Sequence, residues 1–501
     1  MTSPTILPPP ADGTRPRTGR AILAVIGAAA LVAIGAGAAF GPAHQTLGAS
    51  SAGDAALVER IRDLPGSFDS FRSLSVAEIG PDGAVFAGLG DAGAGAPESD
   101  TVFELGSITK TFTGALLADA IERGEVAADD QLSEHLPDLE GTAAGGVTLA
   151  SLSQHSSGLP GLGATAEASS VMNVLFNENA YGTTTREQLI ADAAIAPVDP
   201  EQGVVYSNFA VSLLGYALVS ASGAEDYPTL LHDRITGPLG MDDTTLAPTE
   251  ADIPADAVPG FLTNGTPATR WWGEGYLPAG ASSFTTAADL AIWAQANLDG
   301  TAPGAAALEP TAPMGDAAQI GWGWITSTSF SGEGLQTWHN GGTAGFRTIL
   351  VLDRDAGTAF LALSNTTAPA DYIAMSYASG EPIVGVASLY SILGWALFGL
   401  ALLFGALALF RAVRAKALLP TISDLIWATA ALLLLWNAGP WFAVGGWVWG
   451  IALAPALAAA AVLVLRGSSH RLPFSPARRA WLWWPTAVLG VVVAVVSVFF
   501  W

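Results

Sequence analysis

The feature that most limits what this 501-residue chain can fold into is an abrupt change of texture near Ile383. Beyond it, apolar runs occupy about 384–410, 421–438, 446–465 and 480–501. At ~1.5 Å per residue, a helix of that length covers most or all of ~30 Å of hydrocarbon. A segment in lipid must satisfy its own backbone hydrogen bonds, so helices are the form these runs can take. Basic clusters follow the first run (Arg411, Arg414, Lys416) and the third (Arg466, Arg471, Arg478, Arg479), which assigns those loops to the cytoplasm. Trp436, Trp441, Trp447, Trp481, Trp483 and Trp484 crowd the run ends, as interfacial aromatics do. The pattern predicts a four-helix transmembrane region over 384–501.

The N-terminus supports the same topology. Residues 1–20 are rich in Pro, Thr and Arg and read as a disordered cytoplasmic tail. Residues 21–43 form an apolar run behind Arg15, Arg17 and Arg20, either an uncleaved signal anchor or a cleaved signal peptide. Its length and the lack of a sharp cleavage site favour the anchor. Both readings export the stretch from about 50 to 380. Between His44 and Ile383 ten basic residues face 42 acidic ones, a net charge of −32. Such a surface repels nucleic acid and anionic lipid, so nucleic-acid binding is excluded. The expected location is a multi-pass protein of the plasma membrane with an extracytoplasmic domain and the bilayer itself as partner. Oligomeric state stays open.

Within that domain, Leu74–Ile79 and Ala84–Leu89 flank Gly80-Pro81-Asp82-Gly83 and predict a β-hairpin. Helices are predicted from Ser107, from about Asn208 to Ser220 with Gly223 closing, and from near Thr285-Thr286, where threonine caps. Residues 160–200 lack periodicity and read as a surface excursion. Phe346–Leu352 and Thr358–Leu363 read as a second hairpin. Strands at both ends and helices between them predict an α/β (α+β) domain: an antiparallel sheet flanked by helices, plus a helical subdomain.

The chemistry centres on lysine. The chain has two, Lys110 and Lys416, and only Lys110 lies in the exported domain. It follows Ser107 by three residues, a spacing that puts amine and hydroxyl on one helical face. An amine so placed can take the proton of a serine nucleophile. Two further stretches add polar chemistry. Tyr206 and Asn208, in Val205-Tyr206-Ser207-Asn208, offer a proton relay and a side-chain amide. His339, Asn340, Gly341 and Gly342 open a glycine-rich strand whose backbone can lie against a substrate and turn an N–H toward a developing oxyanion.

Together, S-x-x-K at 107–110, Y-x-N at 206–208 and H-x-G at 339–341 resemble the serine β-lactamase and penicillin-binding-protein superfamily, in its class C-like branch of D-alanyl-D-alanine carboxypeptidases, D-amino-acid peptidases and esterases. Gln154-His155-Ser156-Ser157-Gly158-Leu159-Pro160, Gly237-Pro238-Leu239-Gly240-Met241 and Pro278-Ala279-Gly280 extend the resemblance over about 55–368. It implies a β-lactamase-like fold followed by the transmembrane helices. It also implies a serine hydrolase working through an acyl-enzyme on Ser107, with Lys110 or Tyr206 as base and the N–H groups of Ser107 and Gly342 as oxyanion hole. Asn208, His339, Asn340 and Gly341 would contact a small peptide, ester or amide substrate, with no metal and no cofactor. Many members carry lysine where His339 stands, and a largely neutral histidine points away from β-lactams toward a peptidase or esterase activity on cell-wall-related substrates. The alternative is a sensor ectodomain acylated with little turnover, against which the short cytoplasmic loops count. Other groups read more plainly: His155 as a hydrogen-bonding turn residue, His135 and His232 as surface or packing residues, Trp271-Trp272 as cleft or core, Asp424 as interfacial, and Arg347 as a carboxylate contact or an ion-pair partner.

Overall fold

A computed structural model describes residues 15–42, 45–262, 264–383, 387–414, 416–441, 444–469, 473–474 and 487–490. They divide into two compact units, one of residues 44–388 and one combining the N-terminal helix with the C-terminal apolar helices.

The larger unit contains twelve strands among the described residues: β1 (Ser51–Gly53), β2 (Ser73–Gly80), β3 (Gly83–Gly90), β4 (Phe103–Glu104), β5 (Thr245–Leu246), β6 (Ser283–Thr285), β7 (Ala312–Met314), β8 (Ala318–Ile320), β9 (Ile325–Thr328), β10 (Leu335–Gly342), β11 (Arg347–Asp353) and β12 (Thr358–Ser364). Nine form one antiparallel sheet in the order β1-β3-β2-β12-β11-β10-β9-β8-β7, and β4-β6-β5 form a small second sheet. Both expected hairpins are present, as β2–β3 and β11–β12. The sheet is closed at its centre by β2 against β12, where Leu74 faces Ser364 and Ile79 faces Ala359.

Both faces of the sheet are covered, and the strand sequences show why. Side chains alternate at period two. Leu74 and Val76 of β2, with Phe360 and Ala362 of β12, enter a core with Leu57, Ile61 and Ile373, the last from the Asp371–Ser379 helix. Ala77, Ile79, Leu361 and Leu363 enter the larger core on the opposite face, with Phe112, Leu116, Leu290 and Trp293. Strands buried on both faces need near-continuous apolar residues, and the FLAL run of β12 and the ILVL run of β11 supply them. The Thr109–Glu122 helix is buried from Thr109 to Ala120, with Phe112 edge-on to Trp293 at 4.8 Å. The Asn208–Ser222 helix begins with the Ser207 hydroxyl accepting from Ala210 N and ends at Gly223 with φ 72°. Only αL backbone closes a helix that way without strain, and glycine adopts it freely.

The 160–200 stretch departs from expectation. It holds helices at Ala164–Phe176 and Arg186–Ile195. The second starts at Thr185, whose hydroxyl accepts from Gln188 N, and then runs through alanine-rich sequence with few large apolar residues. Helix propensity and capping, rather than an apolar stripe, define it, so periodicity could not find it.

In the second unit, helices at Arg15–Phe40, Ala387–Val413, Leu419–Ala438 and Trp447–Ser469 each contain a stretch long and apolar enough to cross a membrane. The expected run at 480–501, with Trp481, Trp483 and Trp484, lies outside the described residues except for 487–490. Gly37 and Gly41 of the N-terminal helix pack against Gly446 and Gly450, so closely that a Cβ on Gly37 would lie 2.5 Å from Gly450 N. Paired small residues one turn apart are how helices approach in lipid. Asp424 pairs with Arg411 of the neighbouring helix, Nε to Oδ2 3.1 Å.

Candidate active site

Ser107 does not lie in the α-helix proper. It occupies the 3-10 turn Gly106–Ile108 that leads into the Thr109–Glu122 helix. The spacing argument survives this shift, because Lys110 Nζ lies 2.9 Å from Ser107 Oγ. The ammonium end also donates to the carbonyl oxygen of Ala279 at 2.7 Å. Lys110 is 1% exposed, and burial drives its amine well below the usual lysine range. The effect is desolvation of the charged form, and it favours the neutral amine, the form able to accept a proton.

Tyr206 lies across the same space. Lys110 Nζ stands 4.9 Å from its ring centre, and its hydroxyl is within reach of Ser107. The residue as a whole is 41% exposed, yet its hydroxyl end is enclosed, and burial pushes the phenol above its ordinary range. His155, given only a structural role in the sequence, fixes this tyrosine from both sides. Its carbonyl accepts from Val205 N at 2.9 Å, its Nδ1 accepts from Ser207 N at 3.2 Å, and its ring packs on Tyr206 at 4.5 Å. Accepting at Nδ1 requires a neutral ring with the proton on Nε2. Burial, then the charges of Lys110 and His339, hold His155 down at about 3.

His339 is 2% exposed and faces Tyr206 at 6.5 Å between ring centres; it does not line either cavity around Ser107. Its Nδ1 donates to the Asn340 carbonyl at 2.6 Å, and burial holds it at about 3, so it carries no positive charge near neutrality. Asn208 does border the space in front of Ser107, and its Oδ1 is buried without a hydrogen-bond partner.

The turn at Gly106 and the end of β10 touch. Gly106 has φ 67°, and a Cβ there would lie 2.7 Å from Gly342 N. A Cβ on Gly341 would sit 2.2 Å from the Leu105 carbonyl oxygen and 3.2 Å from Ser107 N. Only glycines let these backbones meet, which brings the N–H groups of Ser107 and Gly342 to one place. Ser107 is in a helical first turn, where N–H groups have no intrahelical acceptor. Gly106→Ala is therefore expected to cost about 1–3 kcal/mol of stability and at least ~100-fold in turnover. A variant that keeps full turnover would show that the contact is not needed for chemistry.

A cavity of ≈ 380 Å³ opens beside Ser107, bordered by Asn340–Thr343, Trp271, Arg347, Pro369 and Asp371. Sequence reasoning missed Asp371, which lies at the start of a helix behind the site with no motif around it. It also missed Glu104, a fully buried acid on β4, three residues before the serine. The Glu104 carboxyl faces the Thr343 hydroxyl and the Trp271 backbone N–H but closes no well-formed hydrogen bond to either. Burial raises it to about 7. The folded pKa lies above the unfolded one, so its stabilising contribution is complete below about 4.5 and lost as pH rises to 7. Glu104→Gln should thus gain on the wild type by about 3 kcal/mol between pH 4.5 and 8. Thermal midpoints at the two pH values check this; a constant difference refutes it.

Comparison with known proteins agrees with this geometry. The Beta-lactamase family profile matches residues 60–380, more than half of the chain. The D-alanyl-D-alanine-carboxypeptidase/endopeptidase AmpH of Escherichia coli K12 is 33% identical over 160 residues, covering 30% of this chain and 38% of that protein. A beta-lactamase of the same organism is 30% identical over 210 residues, 40% of this chain and 48% of that protein. The chain thus spans half or less of the length of these two curated relatives. A beta-lactamase/D-alanine carboxypeptidase structure from Pseudomonas syringae superposes with TM-score 0.54 at 18% identity, covering 65% of this chain and 98% of that one. A class C beta-lactamase gives 0.51 at 20%, covering 61% and 92%. The ordered motifs, the fold and the profile lead to one statement: this chain belongs to the Beta-lactamase family.

Proposed function

We propose that the protein is a membrane-bound serine hydrolase that works through an acyl-enzyme on Ser107, with residues 50–380 extracytoplasmic and the N- and C-terminal apolar helices in the plasma membrane. The observation that carries the reading is the 2.9 Å contact between Ser107 Oγ and a lysine stripped of solvent. In acylation, Ser107 Oγ attacks the substrate carbonyl as its proton passes to Lys110 Nζ. Burial disfavours the Tyr206 phenolate, so the neutral amine is the better base and Tyr206 relays protons as a neutral hydroxyl. The N–H groups of Ser107 and Gly342 receive the oxyanion. Collapse expels the amine or alcohol, protonated through Tyr206 and Lys110, and a water then repeats the sequence to release the acid.

Asn208 orients the substrate amide through its unpartnered Oδ1, and Asn340 and Gly341 border the substrate from the β10 side. His339 stands beside Tyr206, on the face of β10 turned to Ser107. With a neutral histidine there, a D-amino-acid peptide, amide or ester related to the cell wall suits the site better than a β-lactam. Mass spectrometry of the full-length protein in detergent, with D-Ala-D-Ala peptides, nitrophenyl esters and penicillins, tests the reading. An adduct on Ser107 that forms and clears is the expected result. No adduct from any of them, with hydrolysis unchanged in Ser107→Ala, refutes it.

A further inference from the structure

The cavity beside Ser107 contains an acid that the catalytic scheme does not use. Asp371 Oδ2 accepts from Asn340 Nδ2 at 3.1 Å, which orients that amide. Its Oδ1 is buried and has no partner. A buried orphan acceptor in a cavity shared with the nucleophile calls for a donor from the ligand. Burial raises the Asp371 carboxyl above its ordinary range, while the Asn340 amide and the Arg347 guanidinium pull the other way, toward the carboxylate form. Arg347 itself turns Nη1 to the carbonyls of Thr343 and Phe346, at 2.7 Å each. Trp271 also borders the cavity, set edge-on to Tyr181 with ring centres 5.1 Å apart. A carboxylate and an indole together are a site for an organic cation.

We propose that Asp371 makes this cavity a subsite for a primary ammonium group of the substrate, held between the carboxylate and the Trp271 ring. This rests on Ser107 being the nucleophile. Two independent features act in the same direction. The domain's net charge of −32 concentrates cations and depletes anions at its surface. The site's amine and imidazoles, Lys110, His155 and His339, are all held toward their neutral forms. An ammonium would complete the hydrogen bonding of Asp371 Oδ1, which a substrate carboxylate has no proton to do.

The test uses the full-length protein in detergent and matched substrates differing in charge. D-Alanine p-nitroanilide is compared with its N-acetyl and N-succinyl forms. The 2-aminoethyl ester of N-acetyl-D-alanine is compared with its propyl ester, which moves the ammonium to the leaving group. The wild type should favour one ammonium-bearing member over its uncharged counterpart by at least ~10-fold in kcat/KM. Asp371→Asn should erase that preference, lower the ammonium-bearing substrates more than the uncharged ones and improve the succinyl substrate; Asp371→Glu should restore part of it. Equal rates across charge in the wild type, or a uniform loss in Asp371→Asn, overturn the proposal. Labelling of Ser107 by a fluorophosphonate, run alongside, separates the two readings. Label without charge preference defeats this subsite alone, whereas absence of label defeats the serine mechanism and the subsite with it.

Discussion

Ser107→Ala is expected to lower kcat/KM on any substrate the protein hydrolyses by at least ~10⁴-fold, with the thermal midpoint changed by no more than ~2 °C. The first figure follows from covalent catalysis. Without Oγ there is no acyl-enzyme, and the remaining oxyanion N–H groups and base can act only on a water held at low effective concentration. The second follows from the setting. Ser107 Oγ contacts the Lys110 amine but caps no helix, and the turn is held by another hydroxyl: Thr109 Oγ1 donates to the Gly106 carbonyl at 2.8 Å and to Ser283 Oγ at 2.7 Å. Intact-mass measurement with a nitrophenyl ester gives the companion readout, complete loss of the adduct. Turnover within tenfold of the wild type would remove Ser107 from the mechanism.

Lys110→Met is expected to cost ~10³-fold or more in acylation and yet to stabilise the fold by about 1 kcal/mol near neutral pH. Methionine fills similar volume without an amine to desolvate; the loss of the bond to the Ala279 carbonyl offsets part of the gain. The pH dependence identifies the cause. The folded pKa of Lys110 lies below the unfolded one, so the unfolded chain binds the extra proton, and wild-type stability rises with pH up to about 10.4. The methionine variant lacks this term, so its advantage should shrink as pH rises from 7 toward 10. Melting curves of both proteins at pH 7 and 9 measure this. An advantage independent of pH would mean that Lys110 is charged in the folded state. Combining Ser107→Ala with Lys110→Met should cost no more activity than Ser107→Ala alone, because the two groups act in one step.

The parts of this site legible in the sequence were those whose chemistry is local. Ser107 and Lys110 lie one turn apart, Tyr206 and Asn208 flank a capping serine, and His339 to Gly342 run along one strand, so spacing alone brings each set together. Hairpins with Gly-Pro-Asp-Gly or Asp-Ala-Gly turns, and helices with threonine or serine caps, were legible for the same reason. What the sequence hid depends on tertiary placement. Glu104 and Asp371 look like ordinary surface acids until burial beside Thr343 and Asn340 changes their surroundings. His155 looked like a turn residue, and it is one, but the segment it holds is the one that carries Tyr206. His339, expected on the substrate wall, shares with Gly341 the face of β10 turned to Ser107 and stands 6.5 Å from Tyr206 between ring centres, while Asn340 on the opposite face reaches Asp371.

The pairing of β2 with β12 sets an order of events for the newborn chain. Residues 74–79 find their partners at 359–364, so the centre of the sheet closes a loop of roughly 280 residues. Contacts of that sequence separation form slowly and cannot begin until nearly the whole domain has left the ribosome. Until then β2 keeps one edge unpaired, and the Gly106 turn has no β10 to meet. The nascent domain is therefore chemically silent but prone to strand-edge association, and turnover should appear only with the last, slowest phase of folding. That ordering makes recovered hydrolysis a more demanding measure of refolding than recovered helix content.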